Sequence, residues 1–107
     1  MVIISEYEEA KRDGAKLQPN SGRGVHKKGD AILSKFCVDI KEYSKSFSLS
    51  KNVWAKINTD AIMCKKSPAL KIVLGDNDGH KVRIWCISDA DMHEYIELLE
   101  ERTLNAD

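Results

Sequence analysis

The sequence predicts an α/β domain of the α+β kind: a mixed β-sheet flanked by helices, in one domain spanning residues 1–107. Three observations carry this. Apolar residues recur at helical spacing in two stretches, near 53–64 and 92–99, and a capped charged segment near 5–16 adds a third helix. Between them lie short runs with strand character, one with period-two alternation and two rich in β-branched residues. With 107 residues the chain has the size of one domain, and its 42% hydrophobic and 32% charged content is that of a folded, soluble protein.

The elements follow in order. Residues 5–16 read as a helix: Ser5 is an N-cap, Glu6, Glu8 and Glu9 suit the positive end, and Lys11, Arg12 and Lys16 suit the negative end. Leu17 to Lys28 is a loop rich in Gly, Asn, Pro, Ser and basic residues. Strands are expected near 29–33 and 36–43, joined by a turn at Ser34-Lys35. In the second, Phe36, Val38 and Ile40 alternate with Cys37, Asp39, Lys41 and Tyr43, the pattern of a half-buried strand. A helix over 51–66, capped by Ser48 or Ser50, carries Val53, Trp54, Ile57, Ala61 and Cys64 as a core stripe and is ended by Pro68. A buried strand at 69–74, a hairpin turn at 75–79 and a strand at 82–87 come next. Ser88 with Asp91 forms a capping box for a last helix whose apolar face is Met92, Tyr95, Ile96 and Leu99.

Several function classes drop out. No apolar run approaches the length of a membrane span, and the start lacks the charged region of a signal peptide, so a cytoplasmic setting and no membrane partner are expected. Cys37, Cys64 and Cys86 are odd in number and form no CxxC pair, as expected of reduced, buried thiols. Neither GxxxxGK[ST] nor GxGxxG is present, which removes the NTPase and dinucleotide readings. Asp76 and Asp78 lack EF-hand spacing, because position twelve of such a loop is Ile87.

Charge is balanced in total and polarised along the chain. Residues 11–51 carry ten Lys/Arg against four Asp/Glu, whereas residues 76–107 carry nine acids against three bases. A basic middle is what phosphate binding requires, and the overall pI does not report it. Within it, Asp39 and Lys41 share a strand face, and a hairpin would bring Asp30 beside Asp39. Two adjacent carboxylates repel unless a cation sits between them, and oxygen ligands favour Mg²⁺, with Mn²⁺ as a substitute. Lys41 projects to the same spot, where an ammonium orients water or neutralises a phosphorane, the layout of a metal-dependent phosphodiesterase. In the preceding loop Ser21, Arg23, Lys27 and Lys28 can hydrogen-bond a phosphate, and His26 is a lone loop histidine without an assigned role.

Asp30 followed by Asp39-Ile40-Lys41 resembles the Asp…(Asp/Glu)-X-Lys signature of the PD-(D/E)XK nuclease superfamily. The pieces Gln18-Pro19-Asn20-Ser21-Gly22-Arg23, Lys28-Gly29-Asp30 and Lys45-Ser46-Phe47-Ser48-Leu49 are similar to the phage and archaeal Holliday junction resolvase-like branch. The likeness covers roughly residues 6–74, and Gly29 stands where the superfamily's name has proline. It implies a restriction-endonuclease-like sheet and Mg²⁺-dependent, structure-selective cleavage of branched DNA. Asp30, Asp39, the Ile40 carbonyl and a first-helix glutamate would bind the metal. Glu6 is the first choice for that glutamate and Glu9, one turn on, the second. Lys41 would place the attacking water and Lys45 would contact the DNA backbone. It further implies a homodimer, since a four-way junction needs two symmetric cuts, acting in a host cell if the chain is phage-encoded. Two rivals remain: a nuclease of the same core acting in restriction, repair or phage DNA processing, and a non-catalytic nucleic-acid-binding domain in which Asp39 and Lys41 form an ordinary ion pair.

Overall fold

A computed structural model describes residues 8–17, 31–75 and 79–105. Its centre is a strand, β3 (Phe36–Tyr43), hydrogen-bonded on both sides. β2 (Ala31–Leu33) pairs antiparallel with its first half, Leu33 opposite Phe36 and Ala31 opposite Val38. Ser34 takes the positive φ (56°) that a two-residue hairpin needs at its first position, so the turn at Ser34-Lys35 lies where the sequence put it. On the other side β4 (Ser67–Leu74) runs parallel to β3, with Asp39 opposite Leu70 and Lys41 opposite Ile72. A parallel neighbour requires a crossover, and α2 (Lys51–Met63) supplies it. β5 (Val82–Ile87) returns antiparallel to β4, and β1 (Lys16–Leu17) adds a two-residue edge beside β2. The result is a five-stranded mixed sheet in chain order, in an α+β domain. The described part of the first helix, α1 (residues 8–12), and α3 (Asp89–Asn105) complete it.

The sheet has a core on each face. Phe36, Val38, Ile40, Ala69 and Val73 pack with Ala10 of α1, and Tyr95 of α3 joins them. On the opposite face Leu70 and Ile72 pack with Ile57 of α2, with Val53, Trp54, Phe47 and Cys86 around them. Removing Val38, Ile40, Leu70 and Val73 from water contributes roughly 1.5–3 kcal/mol each. The stripe expected on α2 therefore does face the sheet, and Trp54 packs against the core. Ser50 is its N-cap, its Oγ accepting from the Val53 N–H at 3.1 Å.

Six expectations need correction. The alternating strand is not half-buried: from Phe36 through Ile40 every residue of β3 is buried, because α2 covers the face that alternation assigns to water. The first helix does not reach residue 16. Gly14 adopts φ 77°, Ala15 N–H donates to Ala10 O and Gly14 N–H to Lys11 O, a Schellman stop that releases the chain into β1. Pro68 does not end the second helix, which stops at Met63 with Lys65 in the left-handed region. Pro68 instead lies in β4, ahead of the β5 pairing that begins at Ala69, so its missing N–H costs no ladder bond on that side. On α3 only Tyr95 of the expected face reaches the core, stacking on Phe36 at 6.0 Å, while Met92, Ile96 and Leu99 are exposed. Of the thiols, none of which forms a disulfide, only Cys37 is fully buried. The Ser88 cap does form, with the Asp91 N–H donating to Ser88 Oγ at 3.2 Å, but the Asp91 carboxylate turns to Lys35.

Candidate functional site

Pleating sends Asp39 and Lys41 to the α2 face, the same face as Leu70 and Ile72 across the ladder. Asp39 is 9% exposed. The Lys41 ammonium stands 3.2 Å from its Oδ1, an ion pair that is the closest contact of that buried oxygen, which has no hydrogen bond of ordinary geometry. Burial raises the Asp39 pKa above the ordinary carboxylate value; the charge and close contact of Lys41 and, less strongly, the charge of Lys56 oppose the rise, and Asp60 adds to it. Lys56 and Asp60 belong to α2 and pair with each other at 3.6 Å. Past Val38, β3 has its described ladder partner only on the β4 side.

The structure thus brings Asp39 and Lys41 together as the sequence led one to expect. Lys45 is exposed just beyond the end of β3. Asp30, Glu6, Ser21, Arg23, Lys27 and Lys28, like His26, Asp76 and Asp78, lie outside the described residues. Glu9, the second choice for the helix glutamate, is not at this site. It is on the opposite face of the sheet, where it accepts from Lys71 Nζ at 2.7 Å and from Arg83 at 3.0 Å through each of Nε and Nη2. Burial by itself raises its pKa, but the hydrogen bonds and charges of Arg83 and Lys71 outweigh that and hold the carboxyl at about 2.

That second cluster was not foreseen. Lys71 sits in the middle of β4 with no exposed surface, its ammonium 2.7 Å from Glu9, 2.5 Å from Asp13 and 5.3 Å from the Trp85 ring centroid. Glu42 and Lys81 form a further pair beside it. In the sequence Lys71 is one cation in an otherwise apolar run, Ala69-Leu70-Lys71-Ile72-Val73-Leu74. An ion in such a run demands a buried counter-ion, and that was the available signal.

Among the described residues no three His, Cys, Asp or Glu side chains converge on one point. The donor present at Asp39 is of the right kind, a hard carboxylate oxygen, buried and without a hydrogen bond of ordinary geometry. No helix of the described residues is long and apolar enough to cross a membrane. No family model, no curated protein and no solved structure matches this chain.

Proposed function

We propose that the protein is a Mg²⁺-dependent, structure-selective DNA endonuclease of the PD-(D/E)XK kind, with a restriction-endonuclease-like sheet, acting on four-way junctions as a homodimer. The observation that carries the reading is Asp39: a carboxylate buried at the centre of the sheet, one oxygen accepting no hydrogen bond, with Lys41 beside it on the same face. Buried polar atoms are usually hydrogen-bonded, and Glu42 Oε1 is the other such side-chain oxygen among the described residues, but it has no lysine two residues along its own strand as Asp39 has. The mixed sheet with helices on both faces, and an Asp-X-Lys strand at its centre, agrees with what the sequence resemblance implies.

In this reading Asp39 and Asp30 hold the metal, aided by the Ile40 carbonyl and Glu6. The bound ion would lower the pKa of a water and offset charge on the scissile phosphate. Lys41, tethered two residues along β3, orients the water and stabilises the charge that develops. Ser21, Arg23, Lys27, Lys28 and Lys45 grip the backbone, and recognition depends on DNA shape more than on base edges.

The 3.2 Å Asp39–Lys41 pair also favours one alternative, a non-catalytic DNA-binding domain in which this pair is structural. A single assay separates the two. Labelled four-way junction, flap and linear duplex are incubated with Mg²⁺ or with EDTA, using wild type and Asp39→Ala. Paired nicks on the junction alone, lost with EDTA and in the variant, are expected. Cutting of all three substrates would remove the junction preference and keep the nuclease. Binding with no metal-dependent cutting would leave the non-catalytic domain.

A further inference from the structure

The strand that carries Asp39 and Lys41 ends in an aromatic ring. The two-residue period of β3 puts Tyr43 on the same face as both, and the ladder agrees: the three stand opposite Leu70, Ile72 and Leu74 of β4. Exposure rises along that row, from buried Asp39 through partly exposed Lys41 to Tyr43, which is 47% exposed. Of the three, Tyr43 is the one that a large ligand meets first.

The ring is held in place. Phe47, in the segment after β3, stacks on it with centroids 5.4 Å apart and planes 29° apart. Phe47 is itself anchored, packing on Ile57, Leu70 and Ile72 in the core under α2. The Tyr43 carbonyl accepts from the Gly75 N–H at 3.1 Å, which ties down the backbone at the end of the strand. An aromatic ring already backed on one side loses little freedom on binding, and its outer surface suits another flat ring. Successive side chains on one strand face are about 7 Å apart. That is comparable with the distance from a backbone phosphate to the base of the adjoining nucleotide.

We propose that Tyr43 is a stacking platform for a nucleobase adjoining the phosphate presented to Asp39 and Lys41, so that the site prefers DNA with an unstacked base. In a linear duplex both faces of each base are covered by neighbouring pairs, and a protein ring finds no open face. At a branch point or in a single strand that stacking is interrupted, and the cost of presenting a base to the ring is smallest. This role rests on the nuclease reading for the identity of the ligand, and it gives the expected selectivity for branched DNA a residue. In the sequence Tyr43 is one more strand aromatic. Only Phe47 and the core beneath it set the ring beside the site.

The test is made in EDTA, so that binding is read without cleavage. Four-way junctions carry 2-aminopurine either beside the branch point or at a paired position far from it, since that base loses fluorescence when it stacks on an aromatic ring. Wild type and Tyr43→Phe are expected to quench the branch-point probe and not the paired one, and Tyr43→Leu to quench neither. In anisotropy titrations Tyr43→Leu should bind the junction and a single strand about 5–20-fold more weakly, with the salt slope unchanged because no phosphate contact is lost. Its affinity for a linear duplex should stay within about twofold of wild type. Trp85→Leu removes a similarly exposed aromatic from the opposite face, over Lys71, and should change neither readout. Melting curves check that each variant is folded, and the two probe positions in wild type give the answer even if Tyr43→Leu is not.

An unquenched branch-point probe in wild type overturns the proposal, as does an affinity loss in Tyr43→Leu that the linear duplex shares. Parallel Mg²⁺ cleavage assays keep the two readings apart. Tyr43-dependent quenching without cleavage sinks the nuclease and leaves the platform standing. Junction cleavage that Tyr43→Leu leaves unchanged, without quenching, does the reverse, and a wild type that binds no DNA removes both.

Discussion

The two faces of the sheet hold the same ingredients, carboxylates and lysines under helices, and treat them in opposite ways. On the α1 face Lys71, Glu9, Asp13 and Arg83 satisfy one another: Lys71 has two carboxylates, and Glu9 accepts from both Lys71 and Arg83. On the α2 face Asp39 is nearly as buried, yet its Oδ1 accepts no hydrogen bond and its neighbours pull its protonation both ways. The first arrangement is closed and holds α1 to β4 and β5. The second is left open. Glu42, beside the first arrangement, likewise keeps one buried oxygen without a hydrogen bond, so the contrast lies between Glu9 and Asp39 rather than between all carboxylates of the two faces.

That contrast breaks or holds on a few measurements. The largest effect is expected at Asp39. Asp39→Asn should abolish Mg²⁺-dependent cleavage yet leave urea stability unchanged or raised by up to about 1 kcal/mol, because it removes a charge that burial disfavours. Clear destabilisation by this substitution would show that the open face is structural as well. Next comes Lys71→Met, which leaves Glu9 and Asp13 facing each other in the interior without their shared cation. A cost of about 3–5 kcal/mol is expected in urea titration. Adding Glu9→Gln to Lys71→Met should recover part of that loss, whereas an equal or greater loss would mean that the cluster is not a closed unit.

Acid should act on the two faces with opposite sign. The Glu9 pKa is depressed in the fold, to about 2 from 4.5, so its contribution is fully present above pH 4.5 and lost as pH falls toward 2. That loss is of order 2–3 kcal/mol, and a Glu9→Gln variant should lack this part of the acid transition. Asp39 is shifted upward, so protonation favours the folded state and the same fall in pH relieves its face. Thermal melts of wild type, Glu9→Gln and Asp39→Asn between pH 2 and pH 7 read both signs. Parallel acid profiles for the two variants would count against the contrast.

The smallest effects are at the helix ends that hold the two faces. Ser50→Ala removes the acceptor for Val53 N–H at the start of α2 and should cost about 1 kcal/mol. Gly14→Ala meets no neighbouring atom but must adopt φ 77°, and should cost about 1–2 kcal/mol at the end of α1. If each cap serves its own face, Ser50→Ala should lower cleavage in step with stability, while Gly14→Ala should change stability alone.

Much of this was legible in local chemistry. Ser34-Lys35 reads as a turn, Ser50 as a cap and Ile57 with Ala61 as a stripe, because each depends on residues a few positions apart. The alternation in β3 placed Asp39 and Lys41 on one face for the same reason, since the strand period is intrinsic to the backbone. Misreadings arose where a distant element decides. Whether that face is wet depends on where α2 lands. Whether Met92, Ile96 and Leu99 are core depends on how far α3 follows the sheet, and among the described residues it is tied down near its start, through Tyr95 on Phe36 and through Lys35 to Asp91 and Glu94.

By itself, then, the sequence determined the element types, most caps and turns, and the strand face that Asp39 and Lys41 share, all set by spacing and propensity. Tertiary structure alone decided which carboxylate is spent and which is left. Glu9 and Asp39 are equally good ligands on paper. What separates them is that Lys71 and Arg83, 62 and 74 residues from Glu9, close on it from β4 and β5, while the cation nearest Asp39 Oδ1 is Lys41, two residues along its own strand. Long-range pairing of charges in a low-dielectric interior is a property of the packed sheet, and no local pattern encodes it.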